Sequence, residues 1–424
     1  MAINASSSAR ETPEPRADYP PPPQRFGPLM ASYFGVQLIV NTANTGVSSF
    51  LVPLQLDLLD PASKVANLGL IGTVGAIVAI IAQPLWGTLS DRTRTRFGRR
   101  VPWVMGGIAG LAGCTLALSL SSNFLAIFIF AVATAAFYSM VAAPLIALLP
   151  DRTPISRRGT FSALGGLGIY VGGIAGLFAA SPFAANIPTG YIALATLLLI
   201  AGTPLTLLIR RDSRLLPIPA PLGLRAAVVS LWVSPRRHPD FAWAFASRLI
   251  LMSGYWGIVS FLLYQLQDYV GLSRSEAAAA FPLLSLLLIA GILLAIFPAG
   301  YLSDRFQRRK PIVLGAALLI AGSVVAPLLS PTLPGLAISL GLAGIALGAY
   351  ASVDQALLTL VLPDSASSGK DLGVLNIAQA GGQALAPAIA SLVIGAAGYG
   401  GLWAFAGVMA ILGGLAILPI RSVR

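Results

Sequence analysis

Charged residues stand in short clusters between long apolar runs, and this distribution constrains the fold more than any other feature of the sequence. Only 10% of the 424 residues are charged, whereas soluble domains carry about 25%. A helix that crosses the hydrocarbon core of a bilayer needs about 20 largely apolar residues. The runs of that length predict an all-α membrane protein with twelve transmembrane helices, at 28–53, 65–89, 101–121, 123–149, 160–181, 189–209, 241–267, 276–302, 311–331, 334–361, 371–397 and 400–420.

The cationic residues predict the orientation of these spans. If the termini and the loops after even-numbered spans share one side, that side carries 24 of the 27 Lys and Arg residues. Lys64 and Arg274 fall on the other side, and Arg248 lies inside a span. Cytoplasmic loops are the ones enriched in Lys and Arg. We therefore expect a multi-pass protein of the cell membrane with both termini in the cytoplasm.

Two segments lack the apolar character of the spans. Residues 1–26 are rich in Pro, Ser and charge, which predicts a disordered cytoplasmic tail. The Arg- and Pro-rich stretch 210–240 predicts a cytoplasmic linker between a first six-helix bundle at 27–209 and a second at 241–424.

The two predicted bundles share sequence motifs at a constant offset. GTLSDR at 87–92 recurs as GYLSDR at 300–305, and the run that begins at Ser139 and ends in LPD recurs from Ser352. Both pairs are 213 residues apart. Internal repeats of this kind are typical of secondary transporters, in which two bundles rock about a site near the bilayer midplane.

The residues that enzymes and ATP-driven pumps use are sparse. The lone His238 and the lone Cys114 are isolated, so the sequence predicts no catalytic cluster, metal site or cofactor. No phosphate-binding loop is present, since Gly369-Lys370 is followed by Asp371. The expected partners are the lipid bilayer and a small-molecule substrate, not nucleic acid.

Two loops carry a family resemblance. The segments GTLSDRTRTRFGRRVPW (87–103) and APLIALLPDRTPISRRG (143–159) resemble loops of the major facilitator superfamily. Their form is most similar to that of the glycoside–pentoside–hexuronide:cation symporters and the sucrose:proton symporters. The resemblance implies two six-helix bundles, alternating access and a monomer.

The resemblance also implies a cytoplasmic gate. Asp91 would latch onto the helix start near Asp371 and Leu372, and Asp304 onto the fifth helix near Gly159. Gly87 would let helices approach closely because it has no side chain. The alternative is that the arginines only hold the topology. The candidate gate residues are Gly87, Asp91, Arg92, Arg99, Arg100, Asp151, Arg152, Arg158, Gly300, Asp304 and Arg305.

Amide side chains predict part of a substrate path. Gln37, Asn41 and Asn44 share one face of the first span, and amides both donate and accept hydrogen bonds, as a polyhydroxylated substrate requires. The eleventh span repeats the pattern with Asn376, Gln379 and Gln383. Alternatively, these amides hold neighbouring helices together.

Two charges inside spans are functional candidates, because intramembrane charges are costly. Arg248 and Asp354 lie roughly 10–13 Å from the cytoplasmic ends of the seventh and tenth spans at 1.5 Å rise per residue, so we expect them to form an ion pair. It is either a fixed structural pair or one loosened by proton or substrate binding. Candidates for stacking on a substrate ring are Tyr138, Tyr255, Trp256 and Tyr350.

The positions of the carboxylates in the sequence predict which ion is coupled to transport. Sodium-coupled members of the resembled group use acidic residues in the second and fourth helices, but 65–89 and 123–149 contain neither Asp nor Glu. Asp57 and Asp268 lie near outer span ends, where we expect solvation. Asp354 remains to carry a proton, with Arg248 as its partner. The expected function is proton-coupled import of a sugar or glycoside; the alternative is proton-coupled export of amphipathic compounds.

Overall fold

The computed structural model describes residues 26–153, 157–209, 238–306, 309–360 and 368–420. The predicted tail (apart from Phe26) and the predicted linker up to residue 237 lie outside the described residues.

The described chain is built of long helices, which we number in chain order. They are α1 (Phe26–Thr45), α2 (Lys64–Arg92), α3 (Val101–Ser119), α4 (Phe124–Ile146), α5 (Arg158–Ala180), α6 (Ile187–Leu197), α7 (Pro239–Ser260), α8 (Arg274–Phe306), α9 (Lys310–Ser323), α10 (Leu333–Leu360) and α11 (Ser368–Leu415). Shorter helical segments continue several of them, at Val52–Leu59, Leu148–Arg152, Thr203–Leu207, Leu262–Tyr264 and Val325–Leu329.

The all-helical fold is confirmed, and helix covers each of the twelve predicted spans. Helix α11 holds the last two of them, and its backbone breaks between them at Gly398, where φ is 67°. This left-handed conformation favours glycine. By length and hydropathy, nine helices in the described ranges could cross a membrane, or ten if the bent pair Pro239–Ser260 and Leu262–Tyr269 is one span. The count of twelve stays a prediction.

The first and seventh predicted spans each contain a π-helical segment toward the end that is predicted to be extracellular. These segments are Gly46–Leu51 and Gln265–Tyr269. The π-helical hydrogen-bond pattern often occurs at functional sites, because the extra residue redirects the side chains that follow. Here Asp268 lies within the second segment, and Asp57 follows the first by six residues.

The two halves of the chain pack by the same scheme. In the first half α1 lies against α5, and α2 against α4; in the second, α7 lies against α11, and α8 against α10. These pairs are counterparts under the 213-residue offset. The internal sequence repeat is therefore matched by a repeated helix arrangement.

Glycines allow two of these helix pairs to touch through their backbones. A methyl group added at Gly176 of α5 would lie 2.2 Å from the carbonyl oxygen of Thr42 in α1. In the second half, one added at Gly344 of α10 would lie 2.2 Å from the carbonyl oxygen of Leu288 in α8. Small residues at such contacts are a general means of helix association in membranes.

The halves contact each other toward the predicted extracellular end, which we call the outer end. Gly69 and Gly72 near the start of α2 pack on Pro387 of α11. The rings of Phe50 and Phe281, one from each half, are stacked with centroids 6.1 Å apart.

The opposite, inner end is different. Beside Gly87, near the end of α2, no atom of the described residues is placed to contact an added methyl group. The close helix approach predicted at Gly87 is therefore not seen among the described residues, and it stays a prediction.

We expect Gly176→Ala to destabilise the protein by about 1–3 kcal/mol, the usual cost of overpacking. Gly166→Ala in the same helix is the matched control, because it faces open space and alanine favours helix by roughly 0.5–1 kcal/mol. Thermal unfolding in detergent should show a lower midpoint for Gly176→Ala only. Equal midpoints for the two variants would contradict the proposed backbone contact.

Candidate functional site

The structure brings Arg248 of α7 and Asp354 of α10 together. Nη2 of Arg248 lies 3.4 Å from Oδ2 of Asp354, and the two side chains are only 4% and 9% exposed. The predicted ion pair is thus present, inside one half of the molecule. Burial makes such a pair costly to break by removing one partner.

Two further side chains complete this group. Nη2 of Arg248 also donates to Oε1 of Gln379 from α11, and the buried Tyr350 lies one helical turn before Asp354 in α10, with its hydroxyl near the Asp354 carboxylate. Nε and Nη1 of Arg248 have no hydrogen-bond acceptor among the described residues. The guanidinium therefore contacts its described partners through one nitrogen.

This geometry is looser than that of a strong ion pair. Bidentate arginine–carboxylate pairs make two parallel bonds of roughly 2.7–2.9 Å, whereas Asp354 is reached by one nitrogen at 3.4 Å. If Asp354 became protonated, Arg248 would keep its bond to the neutral amide of Gln379. The group can therefore change protonation without leaving the arginine wholly unpartnered.

The amides of the first predicted span are buried in helix packing. A methyl group added at Gly168 of α5 would lie 2.9 Å from Cβ of Gln37, and one at Gly172 3.0 Å from Cβ of Asn41. Asn41 donates from Nδ2 to the Gln37 carbonyl and accepts from the Tyr138 hydroxyl. This geometry favours the packing alternative for Gln37 and Asn41.

The other path candidates have mixed surroundings. Gln379 and Gln383 are exposed and Asn44 is half-buried, while the side chain of Asn376 lies outside the described residues. The rings of Tyr255 and Trp256 meet edge to face with centroids 5.3 Å apart. Tyr255 also borders an apolar cavity within the second half, together with Ile320, Leu340 and Trp403.

A charge network occupies the inner end of the first half. Arg100, which is 7% exposed, lies 2.7 Å from Asp91 and 2.9 Å from Asp151, and it donates to Ser90. Arg99 contacts the same two carboxylates. Both arginines therefore join acidic residues of α2 and of the segment Leu148–Arg152 within the first half, and their part in a gate stays a prediction.

The remaining gate candidates of the first half are exposed or contact backbone carbonyl groups. Arg92 is exposed, Arg152 donates to the Ile209 carbonyl, and Arg158 donates to the Thr153 carbonyl at 3.3 Å. The side chains of Asp304, Asp371 and Leu372 lie outside the described residues, so the two predicted latches remain predictions.

Two gate candidates belong to the second copy of the repeated loop. Arg305 is exposed, with its guanidinium 6.0 Å from the centre of the Phe306 ring. A methyl group added at Gly300 would lie 3.8 Å from Cβ of Ser352, an ordinary contact inside the second half. As at Gly87, the described residues show no close approach between the halves there.

Sequence analysis missed a second charge cluster, at the outer end. Nζ of Lys64 lies 2.8 Å from Oδ1 of Asp57 and 2.7 Å from Oδ1 of Asp268, and Nη2 of Arg274 lies 3.0 Å from Oδ2 of Asp57. The solvation predicted for Asp57 is wrong, because the paired carboxylate is only 12% exposed. The sequence did contain a signal for this cluster, because Lys64 and Arg274 are the two cationic residues predicted to lie on the outer side.

Comparisons with known proteins agree with this architecture. The sequence pattern of the Major Facilitator Superfamily matches residues 30–295 and 266–424. An uncharacterized symporter of Synechocystis is 40% identical over 92 residues, which are 19% of this chain and 17% of that protein.

Solved structures of transporters share the fold. A bacterial homologue of the human lysosomal transporter Spinster, in an inward-facing and unoccupied conformation, is 16% identical with a TM-score of 0.69, covering 92% of this chain and 95% of that one. A D-xylose–proton symporter is 16% identical with a TM-score of 0.69, covering 94% and 98%. The human organic anion transporter MFSD10 is 18% identical with a TM-score of 0.63, covering 93% and 100%. The match across both halves shows that this chain belongs to the Major Facilitator Superfamily. It is a transporter and not an enzyme.

Proposed function

We propose that this protein imports a small polar solute, a sugar or glycoside, together with protons by alternating access. The observation that carries the proposal is the buried Arg248–Asp354 pair, two opposite charges well inside the membrane and loosely joined. Ionisable groups at such depth are costly, and they mark substrate and proton pathways in transporters.

In the proposed cycle Asp354 carries the proton. With Asp354 ionised, the pair is neutral as a whole and stays buried. When a proton enters from outside, Asp354 becomes a neutral acid, and Arg248 keeps its charge and its bond to Gln379. Arg248 can then turn toward the substrate, because two of its nitrogens have no described acceptor. Release of the proton to the inside restores the pair.

We further propose that the structure represents an inward-facing conformation. The described contacts between α2 and α11 involve residues toward the outer end, and no atom of the described residues is placed to contact a methyl group added at Gly87 at the inner end. In the opposite conformation the inner ends would close. The network of Arg100, Asp91 and Asp151 would then engage the second half as the inner gate.

The sugar class rests on likeness to symporters and on exposed amides. The Synechocystis relative is named a symporter, and one protein of the same fold moves D-xylose with protons. Within this chain, exposed Gln379 and Gln383 could hydrogen-bond hydroxyl groups. We also propose a monomer of twelve spans in the cell membrane, with both termini in the cytoplasm.

We expect Asp354→Asn to separate exchange from accumulation. Asparagine cannot take up a proton, so the variant should exchange solute across proteoliposomes at equal concentration but fail to accumulate it under an inward proton gradient. Counterflow and gradient-driven uptake should be measured with a panel of disaccharides, glycosides and cationic dyes. If Asp354→Asn accumulated solute as well as wild type does, Asp354 would not be the coupling residue.

The same panel distinguishes import from export. Sugar accumulation driven by an inward proton gradient would support import. A dye moved against an opposing proton gradient, with no sugar transported, would replace the proposal with proton-coupled export of amphipathic compounds.

A double variant tests whether the pair is only structural. Replacing a buried ion pair by apolar residues of similar volume is often neutral for stability, whereas removing one partner is strongly destabilising. We expect Arg248→Met with Asp354→Leu to fold with a thermal midpoint near wild type yet to lose gradient-driven uptake. The single variant Arg248→Met is the control and should unfold at a lower temperature. A double variant that keeps proton-driven accumulation would show a purely structural pair.

A further inference from the structure

The outer end carries a charge cluster that the coupling mechanism does not use. It consists of Lys64, Asp57, Asp268, Arg274 and Tyr399, which we call the outer cluster. Its members come from both halves of the molecule. Asp57 and Lys64 belong to the first half, and the other three belong to the second.

We propose that Lys64 is the residue that locks the outer gate in the inward-facing conformation. Its ammonium group is bound by one carboxylate from each half, Asp57 at 2.8 Å and Asp268 at 2.7 Å. A single cation that neutralises two carboxylates joins the halves electrostatically. Separation of the halves would break the bond to Asp268, while Asp57 stays with Lys64.

Burial of the cation distinguishes Lys64 from Arg274, the other cation of the outer cluster. The Lys64 side chain is 8% exposed, although that of Asp268 is 35% exposed. Nζ of Lys64 also lies 4.9 Å from the centre of the Tyr264 ring. Arg274 bridges the halves too, through Asp57, but its side chain is 40% exposed. Exposed ion pairs contribute little because water screens them, whereas a buried charge left without its partner is costly.

Surrounding groups close the gate around the ammonium group. The Tyr264 hydroxyl of the second half donates to the Pro53 carbonyl of the first at 2.8 Å. The Tyr399 hydroxyl donates to the free oxygen of Asp268 at 2.8 Å. Tyr399 can therefore hold Asp268 after Lys64 leaves, which makes the lock reversible.

The lock sets the balance between the two conformations. Anything that removes its positive charge leaves Asp268 without a cation beside the Asp57 carboxylate, and repulsion then favours separation of the halves. This inference needs only the rocking of two bundles. It holds whether or not Asp354 carries a proton.

Distances across the outer end test the proposal without transport or substrate. Spin labels would be attached at Leu120→Cys and Leu329→Cys, two highly exposed outer positions in different halves, in a Cys114→Ala background. Distance distributions would be recorded by pulsed electron paramagnetic resonance. We expect Lys64→Met to increase the population at long distance by more than about tenfold, because it removes a buried cation and leaves two carboxylates, one from each half, close together.

Two companion variants separate a lost lock from a damaged fold. Lys64→Met with Asp268→Asn should recover most of the short-distance population, because the uncompensated carboxylate is gone. Arg274→Met should match the labelled background, since the Arg274 side chain is exposed to water and Asp57 keeps its bond to Lys64. The proposal is overturned if Lys64→Met leaves the distances unchanged, if the double variant stays as open as Lys64→Met, or if Arg274→Met opens the gate equally.

Discussion

A charge withdrawn from water must be matched by another charge or by hydrogen bonds, and this constraint organises the whole molecule. The bilayer removes the solvent that would stabilise isolated ions. The charges that remain in or beside the spans are accordingly grouped. One network lies at the inner end around Arg100, one pair lies at depth between Arg248 and Asp354, and one cluster lies at the outer end around Lys64.

These three groups differ in which parts they connect. The network around Arg100 and the Arg248–Asp354 pair lie within single halves, whereas Lys64 joins carboxylates from both. Only the outer cluster is therefore broken by a rigid rotation of one half against the other. In the proposed cycle, the inner network would make its own contacts between the halves when the inner end closes. The Arg248–Asp354 pair would then be accessible to protons alternately from the two sides of the membrane.

Much of the fold follows from the sequence because the bilayer leaves few alternatives. Apolar runs predicted the long helices of the described chain, and the 213-residue offset predicted that the two halves resemble each other. The Arg248–Asp354 pair could be predicted because two costly charges in spans of the same half need each other. The outer cluster could not, because Asp57 and Asp268 stand near span ends, where water is ordinarily available. The burial of Asp57 and the pairing of both carboxylates depend on Lys64, which a different helix contributes.

The amides show a second limit of sequence analysis. A polar stripe on one helix face has the same pattern whether it faces a cavity or another helix. Gln37 and Asn41 face α5, because its glycines allow backbone contact there. Which residues reach the substrate therefore depends on the packing of several helices, and hydropathy records only one helix at a time. The same reason hides the glycine contacts at Gly176 and Gly344.

The measurement that tests the central claim most directly is infrared spectroscopy of the purified protein in lipid, cycled between acid and alkaline pH. The account predicts a protonated-carboxyl band that appears at acid pH in wild type and is missing in Asp354→Asn, with the remaining carboxyl bands unchanged. Identical difference spectra from the two proteins would contradict it, because Asp354 would then not be the group that binds the proton.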